Sequence, residues 1–315
     1  MTRFNLLTTR RLPPYLEQRA AAEFCLTRWD PRTQKLADAA AGQHAILCNP
    51  AIRIDAAIIA ELPDNIRVIG TFSVGFDHID VGAARARGIA IIHTPGVLSD
   101  ATAEFTMLLM LAAARRAGEA ERLLRAGAWL GPKPEAFQGV QVSGKNLGIF
   151  GMGRIGQALA HMARGFGMKI HYRNRNRLAD HLAFGATHHE HDIAFLGQSE
   201  FLAICAPAGP QTHNWLNAAR IEMLPRGAVV VNTARGSLVE DAALIAALRS
   251  GHVRAAGLDV FPNEPEVPHE YLALENVVLT PHIASATDEA RKGMADSVLD
   301  GITAVLAGKT PHNQL

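Results

Sequence analysis

Arg235, Glu264 and His282 are the residues of this 315-residue chain whose types and placement could do chemistry together. Each stands just past an apolar run. Arg235 lies in Asn232-Thr233-Ala234-Arg235-Gly236 after Ala228–Val231, and His282 lies in Thr280-Pro281-His282-Ile283 after Val277–Leu279. Between them, Gly257-Leu258-Asp259-Val260-Phe261-Pro262-Asn263-Glu264-Pro265 ends another strand-like run and presents two carboxylates. In α/β proteins the carboxyl ends of parallel strands open on the ligand crevice, so the three are expected at one edge. A guanidinium is a planar fork that suits a carboxylate, an imidazole is the natural acid near neutral pH, and a carboxylate beside it favours its charged form and raises its pKa. The set suits protonation of a 2-oxoacid carbonyl as a hydride arrives. Singly, each residue has a commoner explanation: an arginine after a strand usually makes a surface ion pair, and a lone histidine packs or is solvated.

A second group of residues suits phosphate. Gly151-Met152-Gly153-Arg154-Ile155-Gly156 follows the apolar run ending at Phe150 and opens a segment, residues 155–166, with helical apolar spacing. In that context Gly151 permits a tight turn, Gly153 lets backbone approach a pyrophosphate, and Gly156 lets the helix pack on its strand, its N-terminal amides facing the phosphates. The next strand, Met168–Tyr172, should end in an acidic residue if NAD is bound; it ends instead in Arg173-Asn174-Arg175-Asn176-Arg177. Guanidinium groups bind a 2′-phosphate that a carboxylate would repel. The expected cofactor is therefore NADP(H) in preference to NAD(H), with Arg173 and Arg175 as leading ligands and Asn174 as a secondary one.

These residues need a scaffold, and the apolar pattern supplies one. Short strand-like runs alternate with longer segments of helical period: residues 45–48, then 54–62, then 68–71, and again 89–93 before a long helix over 101–114 that Ser99-Asp100 can cap. Periodicity fails between Gly127 and Gly144, where Gly131, Pro132, Pro134 and Gly139 mark a connection or an active-site-edge loop. A second alternating series runs through 147–150, 168–172, 201–205, 228–232, 255–258 and 277–279. Five or six such strands complete a doubly wound sheet, so the fold class is α/β with two parallel-sheet domains.

Composition excludes several classes. The chain is 48% hydrophobic and 19% charged, with 31 basic and 30 acidic residues and a net charge of +1, so no global field recruits nucleic acid or an anionic membrane. Cys25, Cys48 and Cys205 lack the paired short spacings of a zinc site or redox motif, and a reducing cytoplasm is expected. Residues 1–11 contain no apolar segment of a secretory signal, and the apolar run 105–114 is shorter than the roughly 20 residues of a membrane span. The tract His188-His189-Glu190-His191-Asp192 is read as an exposed loop, because adjacent side chains diverge and no His-Glu-x-x-His spacing occurs; no metal is expected.

Taken in order, the glycine loop, Asn-Thr-Ala-Arg-Gly at 232–236, Gly-Leu-Asp-Val-Phe at 257–261 with the following Glu-Pro, and Pro-His-Ile-Ala-Ser at 281–285 resemble the D-2-hydroxyacid dehydrogenase family. Ser73-Val74-Gly75-Phe76-Asp77-His78-Ile79-Asp80 extends the resemblance into the first half of the chain. The resemblance implies a Rossmann-type cofactor domain, about 98–284, inserted in a flavodoxin-like substrate domain of 1–97 and 285–315. It implies that Arg235 holds the substrate carboxylate and carbonyl, that His282 transfers the proton, and that Glu264 pairs with His282. Val74 and Gly75 would offer backbone amides to the carboxylate, a small anion-binding nest. Around the cofactor it places Arg154, Ile155, Thr233, Ala234, Asp259 near the nicotinamide carboxamide, and the strand end Cys205-Ala206-Pro207, with Cys205 packing rather than acting as a nucleophile. Trp129 and the helix after Ser99 resemble the family's dimer-forming region, so a homodimer is expected. Within the family the chain is most similar to glyoxylate/hydroxypyruvate reductases. Pro132 departs from a second tryptophan found in some of them, which keeps 2-ketogluconate reduction as an alternative. Corepressor-like dinucleotide sensors and formate or phosphite dehydrogenases share the fold and remain rival readings.

Overall fold

The structure, a computed structural model, describes residues 3–9, 12–133 and 135–315. Met1, Thr2, Arg10 and Arg11 of the segment searched for a secretory signal, and Pro134 of the aperiodic segment, lie outside the described residues. The chain divides into two units, Met1–Leu98 with Ala286–Leu315, and Ser99–Ser285.

The first unit is built on β1 (Asn5–Thr8), β2 (Cys25–Arg28), β3 (Ala45–Cys48), β4 (Val68–Thr71) and β5 (Ala90–Ile92). All pairings are parallel and the strand order is β2-β1-β3-β4-β5, the flavodoxin-like arrangement. β3 and β4 are buried at every position, which is why they read as unbroken apolar runs rather than alternating ones. The C-terminal helix Asp288–Leu306 belongs to this unit, and Thr287 caps it by accepting from Ala290 N at 3.1 Å. It lies close on β4: a Cβ at Gly70 would fall 2.6 Å from Ile302 Cδ1 and 2.9 Å from Val298 Cγ2.

The second unit contains β6 (Asn146–Phe150), β7 (Lys169–Arg173), β8 (Thr187–His188), β9 (Phe201–Ile204), β10 (Ala228–Asn232), β11 (Val253–Leu258) and β12 (Val277–Leu279). Their order is β12-β11-β10-β9-β6-β7-β8, all parallel. The chain direction across the sheet reverses between β6 and β9, the switch point where this fold class binds dinucleotides. The two-residue edge strand β8 escapes the sequence pattern because Thr187 and His188 are too few and too polar to show an apolar alternation. The long helix begins at Ser99 itself and runs to Ala114, and a second helix, Ala117–Arg125, follows it. Leu109 packs so tightly over β11 that a Cβ at Gly257 would fall 2.9 Å from its Cβ. Residues 127–145 contain neither helix nor strand among those described. No helix among the described residues is long and apolar enough to cross a membrane.

Candidate active site

The turns after β10, β11 and β12 hold the candidate chemistry, and each is fixed by its own neighbours. At the end of β10, Asn232 makes an Asx-type turn: its Oδ1 accepts from Ala234 N at 3.0 Å and its Nδ2 donates to the Arg235 carbonyl at 2.9 Å. Arg235, half-buried, also donates from Nη1 to the Ala234 carbonyl at 2.8 Å. Behind it, Thr233 Oγ1 lies 2.8 Å from Thr106 Oγ1 on the long helix. Gly236 comes next and abuts the β11 turn, since a Cβ there would fall 2.0 Å from the carbonyl carbon of Phe261 and 2.3 Å from Pro262 N. The Arg235 turn and the Glu264 turn are thus keyed together by the missing side chain.

His282 and Glu264 meet. His282 Nδ1 lies 2.6 Å from Glu264 Oε2, and each side chain keeps about a third of its surface exposed, 38% and 35%. A carboxylate accepts, so Nδ1 carries the proton and Nε2 is the atom turned to other partners. The second oxygen, Oε1, accepts from Phe261 N at 3.0 Å. Burial pushes the Glu264 carboxyl up, but the hydrogen bonds from His282 and Phe261 and the nearby charge of Arg235 outweigh it and hold the group below the usual carboxylate range. His282 itself takes a left-handed backbone, φ 54°, which is costly for a residue with a side chain and marks a turn that its surroundings impose.

Asp259 imposes it. This residue is completely buried, and its carboxylate accepts from Thr280 Oγ1 at 2.7 Å, Ile283 N at 2.9 Å and Ala284 N at 2.8 Å. Its carbonyl accepts from His282 N at 2.8 Å. With Oδ1 taking two of these donors and Oδ2 one, the carboxylate positions the His282 turn and keeps an acceptor site on Oδ2.

The glycine loop has the shape its sequence requires. Gly151 has φ 92°, and a Cβ there would fall 2.4 Å from the Ala206 backbone; at Gly156 it would fall 2.7 Å from the Gly151 carbonyl. At Gly153, the exposed N-cap of helix Arg154–Arg164, a Cβ would meet nothing within 4 Å. The close contacts at 151 and 156 and the open approach at 153 fit a pyrophosphate over the helix N-terminus. Arg154 is exposed and Ile155 half-buried at that terminus. On the neighbouring strand end, Ala206 is buried, Pro207 is exposed, and burial pushes the half-buried Cys205 thiol up to about 12, so it stays protonated.

The basic stretch at the end of β7 is partly held by internal partners. Arg173 is engaged: Nε donates to Asp192 Oδ1 at 3.2 Å and Nη1 to the Asn174 carbonyl at 2.5 Å. Asn174 Oδ1 accepts from Met152 N at 2.7 Å and thereby ties this loop to the glycine loop, while Nδ2 makes only a 3.5 Å contact to the Met152 carbonyl. Arg175 is exposed and has no hydrogen bond or ion pair among the described residues. Of the histidine tract, His189 Nε2 lies 2.9 Å from Nδ1 of His171 on β7, and burial lowers the pKa of both. Sequence reasoning passed over Asn232, Gly236, Asp192 and Arg220. An Asn at a strand end two residues before a turn was the available signal for the first.

In the first unit, Val74 and Gly75 leave the carboxyl end of β4. Their carbonyls are tied back, to His93 Nδ1 at 3.0 Å and to Ser73 Oγ at 2.6 Å, whereas neither amide N–H donates within the protein among the described residues.

A seven-stranded Rossmann sheet with a glycine loop at its switch point, and an Arg, Glu and His set on its strand ends, defines a nicotinamide-dependent oxidoreductase. The comparisons narrow the class. Residues 107–284 match the family described as D-isomer specific 2-hydroxyacid dehydrogenase, NAD binding domain. The chain is 40% identical over 314 residues to glycerate dehydrogenase of Hyphomicrobium methylovorum, covering 98% of each protein. It is 41% identical over 266 residues to glyoxylate reductase of Thermococcus litoralis, covering 83% of this chain and 80% of the relative. Among solved structures, the NADPH-dependent glyoxylate/hydroxypyruvate reductase of Sinorhizobium meliloti, in complex with NADP and malonate, superposes with a TM-score of 0.91 at 31% identity over 100% of this chain and 97% of that one. The chain belongs to the D-isomer specific 2-hydroxyacid dehydrogenase family.

Proposed function

We propose that this enzyme reduces glyoxylate and hydroxypyruvate to D-2-hydroxyacids with NADPH. The observation that carries the reading is the 2.6 Å pair of His282 with Glu264 on a turn keyed to Arg235 through Gly236. The bound dinucleotide supplies the hydride. Arg235 holds the substrate carboxylate and carbonyl oxygen through its fork, and His282 delivers a proton from Nε2 to that oxygen while Glu264, accepting at Nδ1, fixes the ring and balances its charge. The unspent amides of Val74 and Gly75 support a role for them as carboxylate donors. The glycine loop with Arg154 and Ile155 at the helix start would hold the pyrophosphate; Cys205, Ala206, Pro207, Thr233 and Ala234 would line the cofactor. Arg173 and Arg175 would take the 2′-phosphate, a preference supported by the NADPH dependence of the Sinorhizobium neighbour.

The test is a panel of 2-oxoacids, including 2-ketogluconate, assayed with NADPH and NADH. Turnover of glyoxylate and hydroxypyruvate with NADPH supports the proposal; dinucleotide binding without turnover of any acid points to a sensor instead. Replacing Arg173 and Arg175 together by Gln should raise the Michaelis constant for NADPH far more than for NADH, each charge-assisted contact being worth on the order of 1.5–3 kcal/mol. A homodimer in the cytoplasm completes the reading. Trp129 is 56% exposed and Leu130 88%, apolar surface that a second copy would cover, and sedentation in solution as a dimer, measured by ultracentrifugation, is the expected result.

A further inference from the structure

The basic loop after β7 is not simply basic. Asp192, the first residue of helix Asp192–Leu196, is shared by two guanidinium groups: Oδ1 accepts from Arg173 Nε at 3.2 Å and Oδ2 from Arg220 Nε at 2.7 Å. Arg220 is held in turn, donating from Nη1 to the Trp215 carbonyl at 3.0 Å and lying 5.4 Å from the centre of the Trp215 ring. Trp215 stacks on Phe150 at 3.6 Å and 5° between planes, and Phe150 is the residue before the glycine loop. Arg173 touches the same loop from the other side, its carbonyl accepting from Gly151 N at 3.0 Å. The three charged side chains keep only 26%, 21% and 30% of their surface exposed, so water screens them incompletely.

We propose that Asp192 is an internal counterion that sets how strongly this enzyme discriminates NADP(H) from NAD(H). The inference rests on the reading of the loop after β7 as the 2′-phosphate site. A phosphate drawn to Arg173 enters the field of a carboxylate already bound to that guanidinium, and the two anions repel. The ribose hydroxyls of NAD(H) carry no charge and are indifferent to it. Asp192 therefore cancels part of the attraction that Arg173 and Arg220 would otherwise exert on the phosphate. A single carboxylate between two arginines leaves a net charge of +1, enough to favour NADP(H) without excluding the other cofactor.

Asp192→Asn removes the charge with almost no change of shape, and its one remaining acceptor oxygen can serve only one arginine fully. Binding of NADP+ and NAD+ to the full-length protein, measured by calorimetry at low and high salt, reads the effect without turnover. Tightening of NADP+ by roughly three- to tenfold is expected, with NAD+ unchanged within about twofold and the difference narrowing at high salt. Asp192→Glu, which keeps the charge, should retain the parent ratio. Arg220→Gln, which leaves the carboxylate wholly on Arg173, should shift the ratio the opposite way, and it supplies the reading if Asp192→Asn does not fold. Equal changes for both cofactors, or weaker NADP+ binding in Asp192→Asn, would overturn the proposal and leave Asp192 a structural tie. Failure of the 2′-phosphate reading looks different: the Arg173 and Arg175 replacements would then act alike on both cofactors.

Discussion

Gly236 and Phe261 are in backbone contact, so close that a Cβ on the glycine would fall 2.0 Å from the phenylalanine carbonyl carbon. One residue before Gly236 stands Arg235, and three after Phe261 stands Glu264, which accepts from Phe261 N at 3.0 Å. The contact fixes the two charged residues relative to each other. Gly236→Ala is expected to force the turns apart, lowering kcat by about 100-fold, the scale associated with an ångström-sized misplacement of catalytic groups. Overpacking of this kind also costs about 1–3 kcal/mol of stability. Gly82→Ala is the control, since its Cβ would meet nothing nearer than 3.4 Å in helix Val81–Ala86; steady-state kinetics and thermal unfolding of both variants check the contrast.

Asp259→Asn separates positioning from cofactor contact. The amide would set its NH2 against one of the donors now served by the carboxylate, costing about 1–3 kcal/mol. We expect lower thermal stability and a reduced kcat with the dissociation constants for both cofactors nearly unchanged. A selective loss of cofactor affinity would return Asp259 to the nicotinamide.

Glu264 sets a pH dependence of definite sign. Its folded-state pKa lies below its unfolded value, so the stabilisation it gives is present above the ordinary carboxylate range and is lost as pH falls through the lowered value. Activity of the parent should therefore persist through the range where an ordinary glutamate protonates, whereas the stabilisation starts to decline in that range and is gone below the lowered value. Glu264→Gln, which does not titrate, should lack that acid step in a pH profile of kcat/KM and should lose activity at all pH values because the anionic partner of Nδ1 is gone.

Arg235→Lys keeps the charge and loses the fork. A fall in kcat/KM for glyoxylate on the order of 100- to 1,000-fold is expected, the range for removal of one transition-state donor. Near-parental turnover would take the anchor role from Arg235.

His282→Gln retains a hydrogen-bonding side chain but has no proton to give at neutral pH. Reduction of 2-oxoacids should be suppressed while dinucleotide binding, followed by fluorescence titration, is retained. Full activity would move the acid elsewhere.

Much of this protein could be read from its sequence because the informative signals are local. The runs at 45–48, 68–71, 147–150 and 228–232 became strands since parallel strands buried on both faces need apolar residues at every position. The glycines at 151, 153 and 156 announced a turn, a close approach and a helix contact, each a demand that one residue meets by lacking a side chain. Arg235, Glu264 and His282 could be nominated because each follows a strand whose end is fixed by the same pattern.

What the sequence left open was which side chain reaches which. Asp192 looked like part of a solvated tract, yet the turn of the chain through β8 carries it back to Arg173, 19 positions earlier, and to Arg220, 28 positions later. Nothing local to Asp259 announced that Thr280, Ile283 and Ala284 would donate to its two oxygens and that it would be buried. Period and composition determine secondary structure because they act between residues a few positions apart. Charge pairing and burial act through space, so the partners of a buried carboxylate are decided only when strands distant in sequence are laid side by side.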